Sequence, residues 1–275
     1  MLDALRTAGV EEDTLVFWVS DDGPWTSEQL NSGSVGPFSS RWARDNIDNS
    51  CTACPAGYAH TPSPERPRLC TYSDSTLKQV YPIDGIPCGE DVGLSSTWEG
   101  NLRMPALVRW PGKVRAGSVS FEAVNTMDLF ASCLELAGIP LPTDRVIDSK
   151  SLLPVIQERA PSPHDFMFHW RDDCPSCVPP RLYSVRKGPW KAHFITRSAK
   201  GPDTPVDQDP PLLFHLGSDP EERYPMNVTE HAEVMAAIAS AAEANRASIE
   251  WTRPLCAATD PALWPCANPD NHCRT

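Results

Sequence analysis

The sequence predicts an α/β fold followed by a smaller α+β unit, and three stretches predict it. Thr14–Trp25 reads TLVFWVSDDGPW, an apolar, β-branched run that stops at two adjacent carboxylates, Asp21 and Asp22, before Gly23 and Pro24 turn the chain. A strand that delivers acids at its C-terminal end is how open α/β sheets present ligands to a site. Thr126–Ala137 carries apolar residues at helical spacing and is ended by Gly138 and Pro140. Beyond a polar, Pro-rich stretch at Glu158–His164 come short strands and one amphipathic helix, the pattern of a separate α+β unit. The resulting division is residues 1–160, with a Cys/Pro-rich insertion at 45–92, and residues 161–275, which end in a Cys-rich tail.

Taken in order, MLDALRTAGV reads as one half of an amphipathic helix, with Leu2, Leu5 and Val10 on a face and Gly9 near its end. It lacks the basic start and apolar core of a signal peptide. An opening in mid-helix gives the expectation of a fragment, a piece of a longer protein. The strand Thr14–Ser20 is apolar on both faces, which calls for parallel neighbours and helices on both sides. Too few such strands follow, so the isolated chain is expected to be marginally stable or to aggregate. Thr26–Asp91 is long and irregular; loops of that length are functional or peripheral, and the cysteines favour a stapled excursion. Ala106–Trp110 is a short strand closed by the Pro111-Gly112 turn. In the helix Thr126–Ala137, Thr126 is placed as cap and Asp128 in the first turn. Leu129, Phe130, Cys133, Leu134 and Ala137 make its apolar face, with Cys133 expected as a buried free thiol. Leu182–Arg186 and Trp190–Thr196 are strands joined at Lys187-Gly188, and Leu212–Leu216 is a third. Glu230–Ile249 is a helix with Val234, Ile238, Ala241 and Ile249 on its core side.

Composition narrows the function classes. With 24 Lys+Arg against 36 Asp+Glu the net charge is −12, which opposes nucleic-acid binding but permits a local basic pocket. No apolar run approaches transmembrane length. Ten cysteines, clustered in Pro-rich segments, point to disulfides and an oxidising compartment. The Cys51-x-x-Cys54 and Cys174-x-x-Cys177 spacings are compatible with zinc, but neither pair has an obvious partner pair nearby. The sequon Asn227-Val-Thr229 fits a secreted or lumenal protein.

Several motifs resemble the sulfatase family. They are SDDGPW at Ser20–Trp25, GSVGPF at Gly33–Phe38, STWEGNLRMPALVRWPGKV at Ser96–Val114, TMDLFASCLELAGIPLP at Thr126–Pro142, KAHF at Lys191–Phe194 and PPLLFHLGSDPEE at Pro210–Glu222. The chain is most similar to the branch of arylsulfatase A, arylsulfatase G and N-acetylgalactosamine-6-sulfatase. The resemblance implies an alkaline-phosphatase-like fold, of which this chain is the C-terminal part of the large sheet domain plus a small C-terminal subdomain. It implies hydrolysis of sulfate esters of sugars, lipids or aryl alcohols, calcium as cofactor and a secreted or lysosomal setting, with a homo-oligomer left open. The alternative from another class is a non-catalytic, sulfatase-like module that binds glycans or proteins.

The same resemblance distributes roles. Asp21 and Asp22 fall on the family's second calcium pair, normally Asp-Asn, and a hard cation accepts oxygen from either residue type. The family's nucleophile is a formylglycine made from a Cys-x-Pro-x-Arg motif; Cys54-Pro55 and Cys174-Pro175 do not fit that spacing, so no catalytic nucleophile is expected here. The position of the family's sulfate-binding lysine is Leu94, which cannot stabilise developing charge; either another cation such as Lys78 or Arg41 reaches in, or the site is altered. His193 is a substrate-binding candidate, more simply a packed strand histidine. Glu99 and Arg103 are expected as a buried ion pair, Trp25 and Trp98 as loop packing. His169, Trp170 and Arg171 open a Cys-rich loop near the domain junction, where they would meet substrate.

Overall fold

The computed structural model describes residues 1–24, 33–47, 93–171, 180–197 and 204–251, together with the backbone of three short strands between 58 and 87. The first helix, α1 (Leu2–Thr7), ends at Gly9, whose φ of +71° suits glycine. Strand β1 (Val16–Val19) and helix α2 (Arg41–Asn46) follow. Strands β2 (Tyr58–His60), β3 (Leu69–Tyr72) and β4 (Ile86–Pro87) pair antiparallel in a small sheet of their own, inside the stretch read as irregular. The cysteines at 51, 54, 88, 174, 177, 256, 266 and 273 lie outside the described residues, and so do their expected disulfides.

Helix α3 (Glu99–Leu102) leads into β5 (Ala106–Arg109), which pairs with β1 in the register Val16↔Arg109 to Val19↔Ala106. The pairing is antiparallel, contrary to the parallel neighbours expected for β1. The two-stranded sheet leaves Trp18 57% and Leu107 67% exposed, so the apolar run lies bare where the sequence calls for cover.

Helix α4 (Asp128–Leu136) starts two residues later than expected and has no side-chain cap from Thr126. Asp128, fully buried, does that work from inside the first turn: its carboxylate accepts hydrogen bonds from the Asn125 and Lys150 amides, both 2.9 Å, and lies 2.9 Å from His164 Nε2. The Ser132 hydroxyl donates to Asp128 O and accepts from Leu152 N, and the Ser149 hydroxyl accepts from Ala131 N. These bonds turn Asp128, Ala131 and Ser132 inward and leave the apolar face outward. Phe130 is exposed, and Cys133 is a free but exposed thiol, correcting the buried placement.

After a π-helical turn (Pro154–Glu158), the C-terminal unit is a four-stranded antiparallel sheet in the order β6 (Met167–Arg171), β7 (Arg181–Lys187), β8 (Trp190–Thr196), β9 (Val206–His215). Helix α5 (Ala232–Ser248) covers one face. Alternation divides the strands. Leu182, Val185, Ala192 and Leu213 pack with Ile238 and Ala242 of α5, joined by Phe168 and Trp170. Trp170 Nε1 also donates to Asn245 Oδ1 at 3.0 Å. Strand β6, read from the sequence as the start of a loop, is the edge of this sheet.

Two outcomes follow from this architecture. The bare apolar face of β1, β5 and α4 predicts that the isolated chain binds apolar dyes in its native state and self-associates with concentration, and that Trp18→Lys with Leu107→Lys suppresses both. Gly23 predicts a sharper effect. A Cβ there would stand 2.3 Å from Gly100 O and 2.5 Å from the Asn101 Cα, so Gly23→Ala should lower unfolding free energy by about 3 kcal/mol or more in urea titrations.

Candidate functional site

The acid turn is built by close approach. Gly23 lets its backbone lie against α3, where its amide donates to Asn101 Oδ1 at 2.9 Å. Asn101 Nδ2 in turn donates to Ser96 O at 2.7 Å, and Leu94 N donates to Pro24 O at 3.0 Å. The Ser20 hydroxyl closes the turn onto Asp22 O. Asp21 and Asp22 are therefore carried on a strand end clamped to the 94–101 segment, with Asp21 exposed and Asp22 half-buried. Leu94, half-buried, sits beside the acids at the position matched to the family's lysine. Among the described residues no group of three or more His, Cys, Asp or Glu is arranged to hold a metal ion.

The second face of the C-terminal sheet is charged, with Ser184, Lys191 and His193 fully buried and His169 and Arg186 partly so. Adjacent register places His169 opposite Ser184, Ser184 opposite His193, and Arg186 opposite Lys191. Lys191 Nζ donates to Glu99 Oε1 at 2.9 Å and stands 2.9 Å from Glu222 Oε1. Glu222 Oε1 is also 2.8 Å from His193 Nε2, while its Oε2 accepts the Glu99 amide at 2.7 Å. Arg186 lies 3.8 Å from Glu99 Oε2. Two carboxylates thus face two cations, and both Glu99 and Glu222 owe their burial to them. The expected Glu99–Arg103 pair does not form: Arg103 stacks its guanidinium over Phe38 at 4.6 Å, and the partner of Glu99 comes from the other unit. Only pairing across 92 residues makes Lys191 the partner, and no local spacing announces it.

His193 is a core residue. It stacks on Trp98 with ring centroids 4.1 Å apart, and Trp98 also packs on Trp42 and Phe214. Trp98 donates Nε1 to Arg197 O and is fully buried, the packing role expected of it. Helix α2 joins the same junction, its Arg41 and Trp42 amides donating to the Glu221 and Glu222 carbonyls. Glu222 is held at φ +50°, a left-handed conformation that its bonds enforce. Trp25 and Lys78 lie outside the described residues.

A pocket of about 310 Å³ opens between α3 and the β6 edge. Asn101 and Ser96 form part of its wall, so the bonds that hold the acid turn also hold the pocket. His169, Trp170 and Arg171 line the other side, where the sequence placed them at the junction.

Burial raises the Glu222 carboxyl, but the Lys191 ammonium and the His193 hydrogen bond overturn that and hold it at about 2. Burial pushes His193 below its ordinary 6.5 against the pull of Glu222. Burial, with Lys191, His193 and Arg186 nearby, holds His169 well below 6.5. All three pKa values are depressed on folding, so the unfolded chain takes up protons first as pH falls, and stability is lost on acidification. The loss begins near pH 6.5 with the histidines, and Glu222 adds to it below about 4.5. Urea midpoints should fall between pH 7.5 and 5, and His169→Gln should flatten that fall. Lys191→Met, which strands two buried carboxylates, should cost about 3–5 kcal/mol at pH 7.5.

One expectation is corrected by the letters of the sequence. Cys177-Val-Pro-Pro-Arg181 does have Cys-x-Pro-x-Arg spacing. Cys177 lies outside the described residues, and Arg181 opens β7, where its guanidinium pairs with Asp207.

Comparison with known proteins accounts for both units at once. The profile of the family described as Sulfatase matches residues 1–139, and that described as the C-terminal region of aryl-sulfatase matches residues 162–275. The arylsulfatase of Hemicentrotus pulcherrimus is 35% identical over 205 residues, covering 66% of this chain and 36% of its own length. The N-acetylgalactosamine-6-sulfatase of Canis lupus familiaris is 30% identical over 258 residues, covering 86% of this chain and 38% of its own length. The chain therefore spans a little over a third of these relatives. The crystal structure of the PsFucS1 sulfatase from Pseudoalteromonas sp. superposes with a TM-score of 0.62 at 20% identity, over 90% of this chain and 39% of that one. That likeness shows the alkaline-phosphatase-like sulfatase fold with its C-terminal subdomain. Among the described residues no helix is long and apolar enough to cross a membrane. The acid turn on α3 and the charged junction behind it are thus parts of one inherited scaffold, and the chain belongs to the sulfatase family.

Proposed function

We propose that the protein to which this chain belongs hydrolyses sulfate esters, and that this chain supplies half of a calcium site and a wall of the substrate cleft. The observation that carries the reading is the clamped acid turn: two carboxylates side by side on a strand end whose backbone is fixed by Asn101. Calcium takes six to eight oxygen ligands, so Asp21 and Asp22 fit it as part of a shell. When bound, the ion would act as a Lewis acid on sulfate oxygens. The chain's own residues do the rest. Asn101 and Gly23 hold the acids at a fixed height, and Asp22, acceptor-only where the family has an amide, adds charge toward the metal and away from an anion. Leu94 offers the site an apolar wall in place of a cation. The nucleophile is not assigned to this chain.

Leu94 also favours the second reading, a sulfatase-like module that binds without hydrolysis. The two readings separate on the protein carrying this chain: turnover of 4-nitrophenyl sulfate supports the enzyme, and binding without turnover supports the module. The same sequence family and the exposed sequon Asn227-Val-Thr229 support a secreted or lysosomal setting, and a glycosidase-sensitive mass at Asn227 in a eukaryotic host is the expected outcome. For the metal, millimolar calcium should raise the melting temperature of the chain, chelation should reverse the rise, and Asp21→Ala with Asp22→Ala should abolish it. An equal rise in the double variant would remove calcium from this turn. Asp22→Asn should keep the effect at a several-fold weaker calcium midpoint.

A further inference from the structure

We infer that His193 is a proton-operated positioning residue: a proton taken up there releases α3 from the C-terminal sheet and frees the acid turn, so acidity at the junction opposes cation binding at Asp21 and Asp22. That opposition is reciprocal, because a cation that needs the closed turn also resists the proton. Regulation of a cation rests on the calcium reading above; the link between the junction and the turn does not.

The closed junction requires a neutral ring. Glu222 is ionised and can only accept, so His193 Nε2, 2.8 Å away, carries the ring's one proton and donates it. A second proton would have to sit on Nδ1. That atom is buried and among the described residues has no hydrogen-bond partner, so an N–H there would lose its water and find no acceptor. The charges around the ring are already matched. Glu222, after β9, and Glu99, of α3, share the Lys191 ammonium of β8, with Arg186 of β7 near Glu99 and His169 of β6 close by. Phe214 of β9 meets the ring edge-on and is apolar. The lowered proton affinity of His193 agrees with this arrangement.

The same geometry carries the event to the acids. Strand β8 is paired on both sides, so the cover that can leave without breaking the sheet is Trp98, stacked on His193 at 4.1 Å. Trp98 is the residue before α3, and its carbonyl accepts the Asn101 and Leu102 amides. Moving Trp98 therefore moves α3, withdraws the Glu99 amide from Glu222 and takes Asn101 off the Gly23 amide. An opened His193 titrates at its ordinary 6.5, so one such proton multiplies opening by at most about ten-fold between pH 7.5 and 5.5.

The test is residue-resolved amide hydrogen exchange of the full chain at pH 7.5 and 5.5, corrected for the intrinsic effect of pH. The Glu99 and Gly23 amides should together lose about three- to ten-fold in protection, while the bonded amides of the β7–β8 ladder change less than about two-fold. His193→Gln, which keeps a donor for Glu222 but does not titrate, should abolish both losses. Asn101→Ala should keep the loss at Glu99 and leave Gly23 unprotected at both pH values. An equal loss across the ladder, no loss at Gly23, or a loss that survives in folded His193→Gln overturns the assignment. So does a pH response at Gly23 that Asn101→Ala leaves intact, and this arm holds even where His193→Gln fails to fold. With calcium chloride as the probe, the calcium midpoint of the melting shift should weaken by the same factor as the Gly23 protection. Coupled losses in a chain whose melting ignores calcium at pH 7.5 keep His193 as the positioning residue and overturn the calcium reading instead.

Discussion

Everything that shapes the candidate site passes through one buried ammonium. Lys191 lies between Glu99 and Glu222 with no exposure to solvent. A buried ion set of this kind is weak evidence for stability, since apolar residues of equal volume do as well or better. Its value here is placement. With α3 on the polar face of the C-terminal sheet, Glu99 and Glu222 both meet Lys191, so the charges hold the register between the two units. Trp98 reinforces it by inserting against His193 and Phe214.

From that anchor the placement travels outward by short bonds. Glu99 begins α3, Asn101 two residues later grips the Gly23 amide, and the Asp21-Asp22 turn is set by that grip. Gly23 is required at this step by the contact itself, since a side chain would collide with the α3 backbone. The acids are thus positioned from behind by the C-terminal unit, although they lie at the opposite end of the sequence.

The sequence displayed the parts whose signals are local. Strand β1 and its acids, α4, the β7–β8 hairpin and α5 each carry a pattern within a dozen or so residues, and the family motifs gave the fold. Strand β6 escaped because its alternation, Met-Phe-His-Trp-Arg, runs straight into a Cys-rich stretch. The inward face of α4 escaped because polar Asp128 and Ser132 are buried through bonds to residues 149–164. The apolar residues beside them mark a face left exposed among the described residues. Proximity in the sequence favours Arg103 as the partner of Glu99, whereas the partner in the fold, Lys191, is fixed by tertiary contact. His193, shared with a family motif, turned out to be a core residue whose chemistry is spent on Glu222.

The long span of the charged junction has a consequence for synthesis. Glu99 leaves the ribosome 123 residues before Glu222, the residue that must accept its amide. At translation rates of about 5–20 residues per second, that interval is roughly 6–25 s. Throughout it, α3 has neither its ammonium nor its carboxylate partner, and the acid turn has no fixed support. The two acids of the N-terminal unit are therefore finished last, by residues made near the end, and a chain interrupted anywhere before Glu222 carries the acids without the geometry.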